Sequence, residues 1–101
     1  MENKIILGRI LQRFIDRQVA QVGSYNAFGF VKIKNSSILV SREAGEDTPI
    51  PFSKLIIGIE AYKEHLELYD KGPTALRAFG ITHVTSPVYS LLHLLEKDAY
   101  W

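Results

Sequence analysis

The sequence predicts an α+β fold, and three changes in its hydrophobic rhythm carry that prediction. Apolar residues recur with helical spacing over residues 3–21, alternate with a period of two from Ala27 to Glu43, and return to helical spacing after Pro51. The second helical stretch is punctuated by Gly72-Pro73, Gly80 and Ser86-Pro87. The expected order is an N-terminal amphipathic helix, a β-hairpin, a long helix and a C-terminal helix-turn-helix-like pair, all in a single small domain spanning residues 1–101.

The first helix runs from about Asn3 to Gln21. Leu7, Ile10, Leu11, Phe14 and Ile15 share one arc of its wheel, while Arg9 and Arg13 fall opposite and Arg17 lies at the flank. Arginines at i, i+4 and i+8 make a stripe that reads either as a solvated face or as a row of phosphate contacts. Gly23, Ser24 and Asn26 end the helix.

The hairpin follows from strict alternation. Val31 and Ile33 point to one face; Phe28, Phe30, Lys32 and Lys34 point to the other. With Asn35-Ser36 as a two-residue loop, Ile33 faces Ile38 and Val31 faces Val40, which builds one apolar face toward the helices. The opposite face alternates aromatic with cationic side chains, the chemistry of a platform on which exposed bases stack between phosphate contacts. The run Phe28-Gly29-Phe30-Val31-Lys32-Ile33 resembles, over those six residues, the aromatic RNA-binding motif of the recognition-motif and cold-shock families. The likeness stops there: Asn26-Ala27 replaces the basic-glycine pair, Ile38-Leu39-Val40 has no aromatic, and the element order matches neither family. The competing reading buries Phe28 and Phe30 under a helix or a dimer partner.

Ala44 to Pro51 reads as a loop, and Ser53 as the N-cap of a helix that ends near Lys71 with Gly72 beyond it. Gly58 in its middle is unfavourable to the helix by about 1 kcal/mol relative to Ala, which marks a close helix crossing or a contact with the hairpin. Pro73 suits the first turn of a short helix closed by Gly80, and Thr85 or Ser86 caps a last helix with Pro87 at its first position, running to about Lys97. This pair has the outline of a DNA-binding helix-turn-helix. Its second helix, however, carries no basic residue before Lys97, leaving Thr85, Ser86, Tyr89, Ser90 and His93 to meet bases and Lys71 and Arg77 to meet phosphates.

Composition narrows the function classes. At 47% hydrophobic and 23% charged residues the chain is globular, and its eleven aromatics can anchor a core. The absence of cysteine excludes disulfides and thiolate chemistry. No apolar run approaches the roughly 20 residues that span a bilayer, and the N-terminal stretch, with Glu2 and Lys4, lacks the apolar segment of a signal peptide, so the reading is cytoplasmic with no membrane partner. His65, His83 and His93 have no carboxylate at ligand spacing, and neither a phosphate loop nor a serine-hydrolase elbow occurs. The sequence therefore predicts neither catalysis, nor a metal or cofactor, nor a small-molecule substrate.

Charge is distributed unevenly. Residues 1–42 hold seven Lys and Arg against two acids, and residues 43–101 hold five against nine. The expected function is that of a small nucleic-acid-binding or regulatory protein, contacting its ligand through Arg9, Arg13, Arg17, Phe28, Phe30, Lys32 and Lys34. The alternative is a protein-interaction module, a homodimeric adaptor or inhibitor without nucleic-acid contact, built on the aromatic strand face and the Tyr100-Trp101 tail.

Overall fold

The computed structural model describes all 101 residues. Helices accompany a four-stranded antiparallel sheet of order β1-β2-β3-β4, with β1 Val19–Ala20, β2 Phe28–Ile33, β3 Ser37–Arg42 and β4 Thr48–Pro51. Helix α1 spans Asn3–Arg17, α2 Phe52–Glu64 and α3 Thr85–Leu92, with 3₁₀ segments at Leu66–Asp70, Pro73–Phe79 and Lys97–Tyr100.

Helix α1 stops four residues earlier than its periodicity suggested. Gln18 adopts a left-handed conformation (φ 66°), donates its backbone N–H to Phe14 O at 2.8 Å, and turns the chain so that Val19 and Ala20 pair with Gly29 and Phe28. Val19 and Ala20 fit either period, so the pattern alone could not separate helix from strand. Ile6, Ile10 and Phe14 are the fully buried positions of α1.

The hairpin forms where expected, but its inner face is reversed. Ile33 does pair with Ile38; Val40, however, faces Phe30 rather than Val31, because the register shifts between Phe30 and Lys32. The extra residue is a β-bulge at Val31. It lets Phe28 and Phe30 turn toward the core, while Val31 and Ile33 stay 38% and 42% exposed. Burying phenyl rings removes more apolar surface from water than burying valine and isoleucine, which sets the choice of face. At Gly29 the chains approach closely: a Cβ there would meet the Ser41 hydroxyl, which would have to turn aside.

The segment expected as a loop contains β4, paired through Ser37–Pro51, Ile38–Ile50, Leu39–Pro49 and Val40–Thr48. Its two prolines are tolerable because β4 is the sheet edge, where a missing N–H disrupts no neighbour, and they blunt that edge against further pairing. Ile50 between them is fully buried.

The long helix is also shorter than expected. It begins at Phe52, with Pro51 rather than Ser53 in the capping position, and ends at Glu64. His65 breaks it, and the following 3₁₀ segment buries Leu68 and aims the Tyr69 hydroxyl at Leu95 O, 2.7 Å away. Gly80 ends the second 3₁₀ segment in a left-handed conformation (φ 84°), as its position predicted. Helix α3 begins two residues before Pro87 and ends at Leu92, five short of Lys97. Beyond it the chain doubles back and buries Tyr100, whose hydroxyl donates to Leu92 O; Trp101 remains 88% exposed.

Candidate functional site

The expected site residues divide into a buried pair, a tethered arginine and a group of free cations. Phe28 is 2% exposed, with the Arg42 guanidinium 5.6 Å from its ring centroid. Phe30 is half-buried and meets Phe14 edge to face, with centroids 5.6 Å apart and planes at 88°. Phe30 joins the hairpin to α1 through Phe14, and both rings pack into or against the core.

Arg13 points to the far end of the chain. Its guanidinium donates to Leu94 O at 2.8 Å and pairs with Glu96 Oε1 at 3.3 Å. Glu96 responds: a hydrogen bond from its own backbone N–H, then the bond and charge of Arg13, hold its carboxyl below the usual carboxylate range. Arg9 is exposed beside Arg13 in a cleft of about 290 Å³ that Leu95, Glu96 and Ala99 also line. Arg13 thus belongs to the scaffold that closes the C-terminal segment onto α1.

Lys32 and Lys34 lie toward the hairpin end of the sheet, and the backbone brings Arg17 beside the middle of β2. The Phe30 N–H donates to Gln18 O at 3.0 Å, which places the end of α1, with Arg17 one residue back, against the middle of β2. Lys32 lies two residues further along that strand and Lys34 directly beyond it, where the tight turn is closed by Lys34 N–H donating to Ser37 O at 2.8 Å. Residues 31–36 are exposed without interruption. None of Arg9, Arg17, Lys32 or Lys34 forms an ion pair or side-chain hydrogen bond; the ion pairs join Arg13 to Glu96, His65 to Glu67 and Lys97 to Asp70. Acidic Glu43, Glu46 and Asp47 stand at the opposite end of β3, about 20 Å of strand away. The hairpin is electrically polarised along its length.

The C-terminal helical pair has no reading face. Seven of the eight residues of α3 are buried, including Thr85, Tyr89 and Ser90, and only Ser86 is exposed. Thr85 Oγ1 donates back to Ile81 O at 2.9 Å. His93 is clamped between Tyr69 and Tyr89, with ring centroids 4.0 and 4.2 Å away, its Nε2 2.8 Å from Tyr69 O and its Nδ1 2.9 Å from Tyr89 O. The helix serves as core.

Sequence reasoning missed Arg42 and the polar clamp on His93, since both depend on partners brought in from distant elements. No helix is long and apolar enough to cross a membrane. Comparison with known proteins returned no match to a family model, a curated protein or a solved structure.

Proposed function

We propose that this protein binds nucleic acid through the cationic end of its sheet, with Arg17, Lys32 and Lys34 as the contact group and Arg9 at its margin. One observation supports the reading above the others: Lys32 and Lys34 stand, unpaired, on the uninterrupted exposed stretch 31–36 at the hairpin end, with unpaired Arg17 next to Gln18, whose carbonyl accepts from Phe30 N–H. Exposed cations without an ion-pair partner attract polyanions and release their counterions on contact. Phe28 and Phe30 are left out of the contact surface because their rings are committed to the core. Titration of labelled nucleic acid at rising salt is the test. Three phosphate contacts on a duplex correspond to a slope of log affinity against log salt of about −2.7. Binding that is absent at low salt would end the proposal.

The second reading, a protein-interaction module, draws support from Trp101, an aromatic side chain 88% exposed next to a fully docked Tyr100. Sedimentation of the full chain beside a Trp101→Ala variant tests it, since a homodimer seated on that ring dissociates in the variant.

A further inference from the structure

The rings of this molecule are placed so as to decide which form of nucleic acid it can hold. Of the eleven aromatic side chains, only Tyr25 and Trp101 are exposed. Neither belongs to α1 or to the strand that carries Lys32. Tyr25 precedes β2, off the end of the strand opposite Lys34, and lies edge to face on Tyr89 with centroids 5.9 Å apart. Trp101 follows Tyr100, which is anchored to Leu92 O in the C-terminal segment.

We infer that the ligand of the Arg17, Lys32 and Lys34 surface is a double-stranded nucleic acid, contacted through its phosphates and without regard to sequence; this rests on the nucleic-acid reading above. Proteins that hold single strands do so by stacking successive bases on aromatic side chains within a basic groove. Here the rings on the strand that carries Lys32 are turned to the core, Phe28 buried and Phe30 packed on Phe14. A duplex keeps its bases stacked on one another and presents a denser row of phosphates to a ring-free surface. Sequence readout needs side chains such as Arg, Asn or Gln carried on a helix or ribbon that enters a groove. Helix α3 is buried, and the hairpin turn is held to the body by Phe52 N–H donating to Ser36 O at 2.9 Å.

The experiment is anisotropy titration of the full chain with a labelled duplex, its two separated strands and polyglutamate of matched charge, at two salt concentrations. The expected result is several-fold tighter binding of the duplex than of either strand or of polyglutamate, unchanged when the duplex sequence is scrambled. Lys32→Gln and Lys34→Gln should each weaken duplex binding and reduce the salt slope by about one. Phe30→Leu, checked for folding by its far-ultraviolet spectrum, should bind the duplex as the parent does. Salt-sensitive binding in which a single strand equals or exceeds the duplex would overturn this inference and leave the nucleic-acid reading standing. A folded Phe30→Leu protein with weakened binding would do the same, since it would show a base on the ring. Equal affinity for polyglutamate would overturn it in favour of an acidic protein partner, and no binding to any probe would remove both readings.

Discussion

Gly58 and Leu92 meet where α2 crosses α3, so closely that a Cβ on Gly58 would lie 2.8 Å from Leu92 Cδ1. Val88 Cγ1 and Ile81 Cδ1 would follow at 3.5 and 3.6 Å, and all three neighbours are fully buried. A Gly58→Ala change gains about 1 kcal/mol of helix propensity and forces a methyl group into a filled space, which typically costs 1 to 3 kcal/mol. The expected outcome is a net loss of about 1 kcal/mol, read as a lower denaturation midpoint with an unchanged slope. A variant more stable than the parent would show that Leu92 has room to move.

This crossing was legible in outline, because a glycine inside a well-patterned helix calls for a reason. The α+β class was legible for the same kind of cause: a switch of hydrophobic period is local information. What stayed hidden depended on distant partners. Val19 and Ala20 become a strand only because Phe28 and Gly29 arrive beside them, and the residues around Pro49 become a strand only because an edge tolerates proline. The bulge at Val31 reversed the inner face of the hairpin without leaving any mark in the alternation. Residue type marked the cations of the candidate site. Which of them were free was illegible, since Arg13 finds its partner 83 residues away.

Two tyrosines in the same cluster should respond oppositely to loss of their hydroxyls. The Tyr62 hydroxyl is buried without a hydrogen-bond partner, while the Tyr100 hydroxyl, whose ring lies 5.2 Å from that of Tyr62, donates to Leu92 O. A buried unpaired hydroxyl is a desolvation cost with no return, whereas a made bond contributes about 1 kcal/mol. Tyr62→Phe should therefore leave stability equal or raised, and Tyr100→Phe should lower it by about that amount. Chemical denaturation of the two variants side by side checks the sign.

High pH should unfold the protein through the same cluster. Burial is the leading cause that pushes the phenols of Tyr62, Tyr69, Tyr89 and Tyr100 above their ordinary value of 10.0. In the unfolded chain these groups ionise at the ordinary value, so above it the unfolded state binds fewer protons than the folded one. Stability falls wherever that holds. Denaturation midpoints should be flat below about pH 9.5 and drop beyond about pH 10, with phenolate absorbance appearing together with unfolding. Smooth phenolate titration of all the tyrosines in a still-folded protein would contradict their burial.

At the acid end the sensitive pair is Arg13 and Glu96. The Glu96 carboxyl is held below its ordinary value of 4.5, first by its own backbone N–H and then by Arg13. A depressed carboxylate contributes stability that is complete above the unfolded value and is lost as pH falls through the folded one. Arg13→Gln should raise the titration midpoint of Glu96 toward the ordinary value, measured by carboxyl carbon NMR, and added salt should shrink the difference, because the pair is exposed. A midpoint that does not move would leave the backbone bond and the charge of Arg17 as the causes.

Phe28 and Phe30 separate the core from the candidate surface most sharply. Phe28 is buried under the Arg42 guanidinium, so Phe28→Ala should cost about 3 to 5 kcal/mol. Phe30 is half-buried, and its main distinguishable contribution is the edge-to-face contact with Phe14. Such pairs add about 0.5 to 1.5 kcal/mol beyond the area they bury, and a double-mutant cycle between Phe14→Leu and Phe30→Leu should return a coupling in that range. Independent effects of the two changes would mean that the rings do not touch in solution. Phe28→Ala with the stability of the parent would mean that β2 presents its aromatic face outward, with Val31 and Ile33 inside, and would restore the strand as a stacking platform. The expected large loss instead fixes Phe28 in the core and removes its ring from any contact surface.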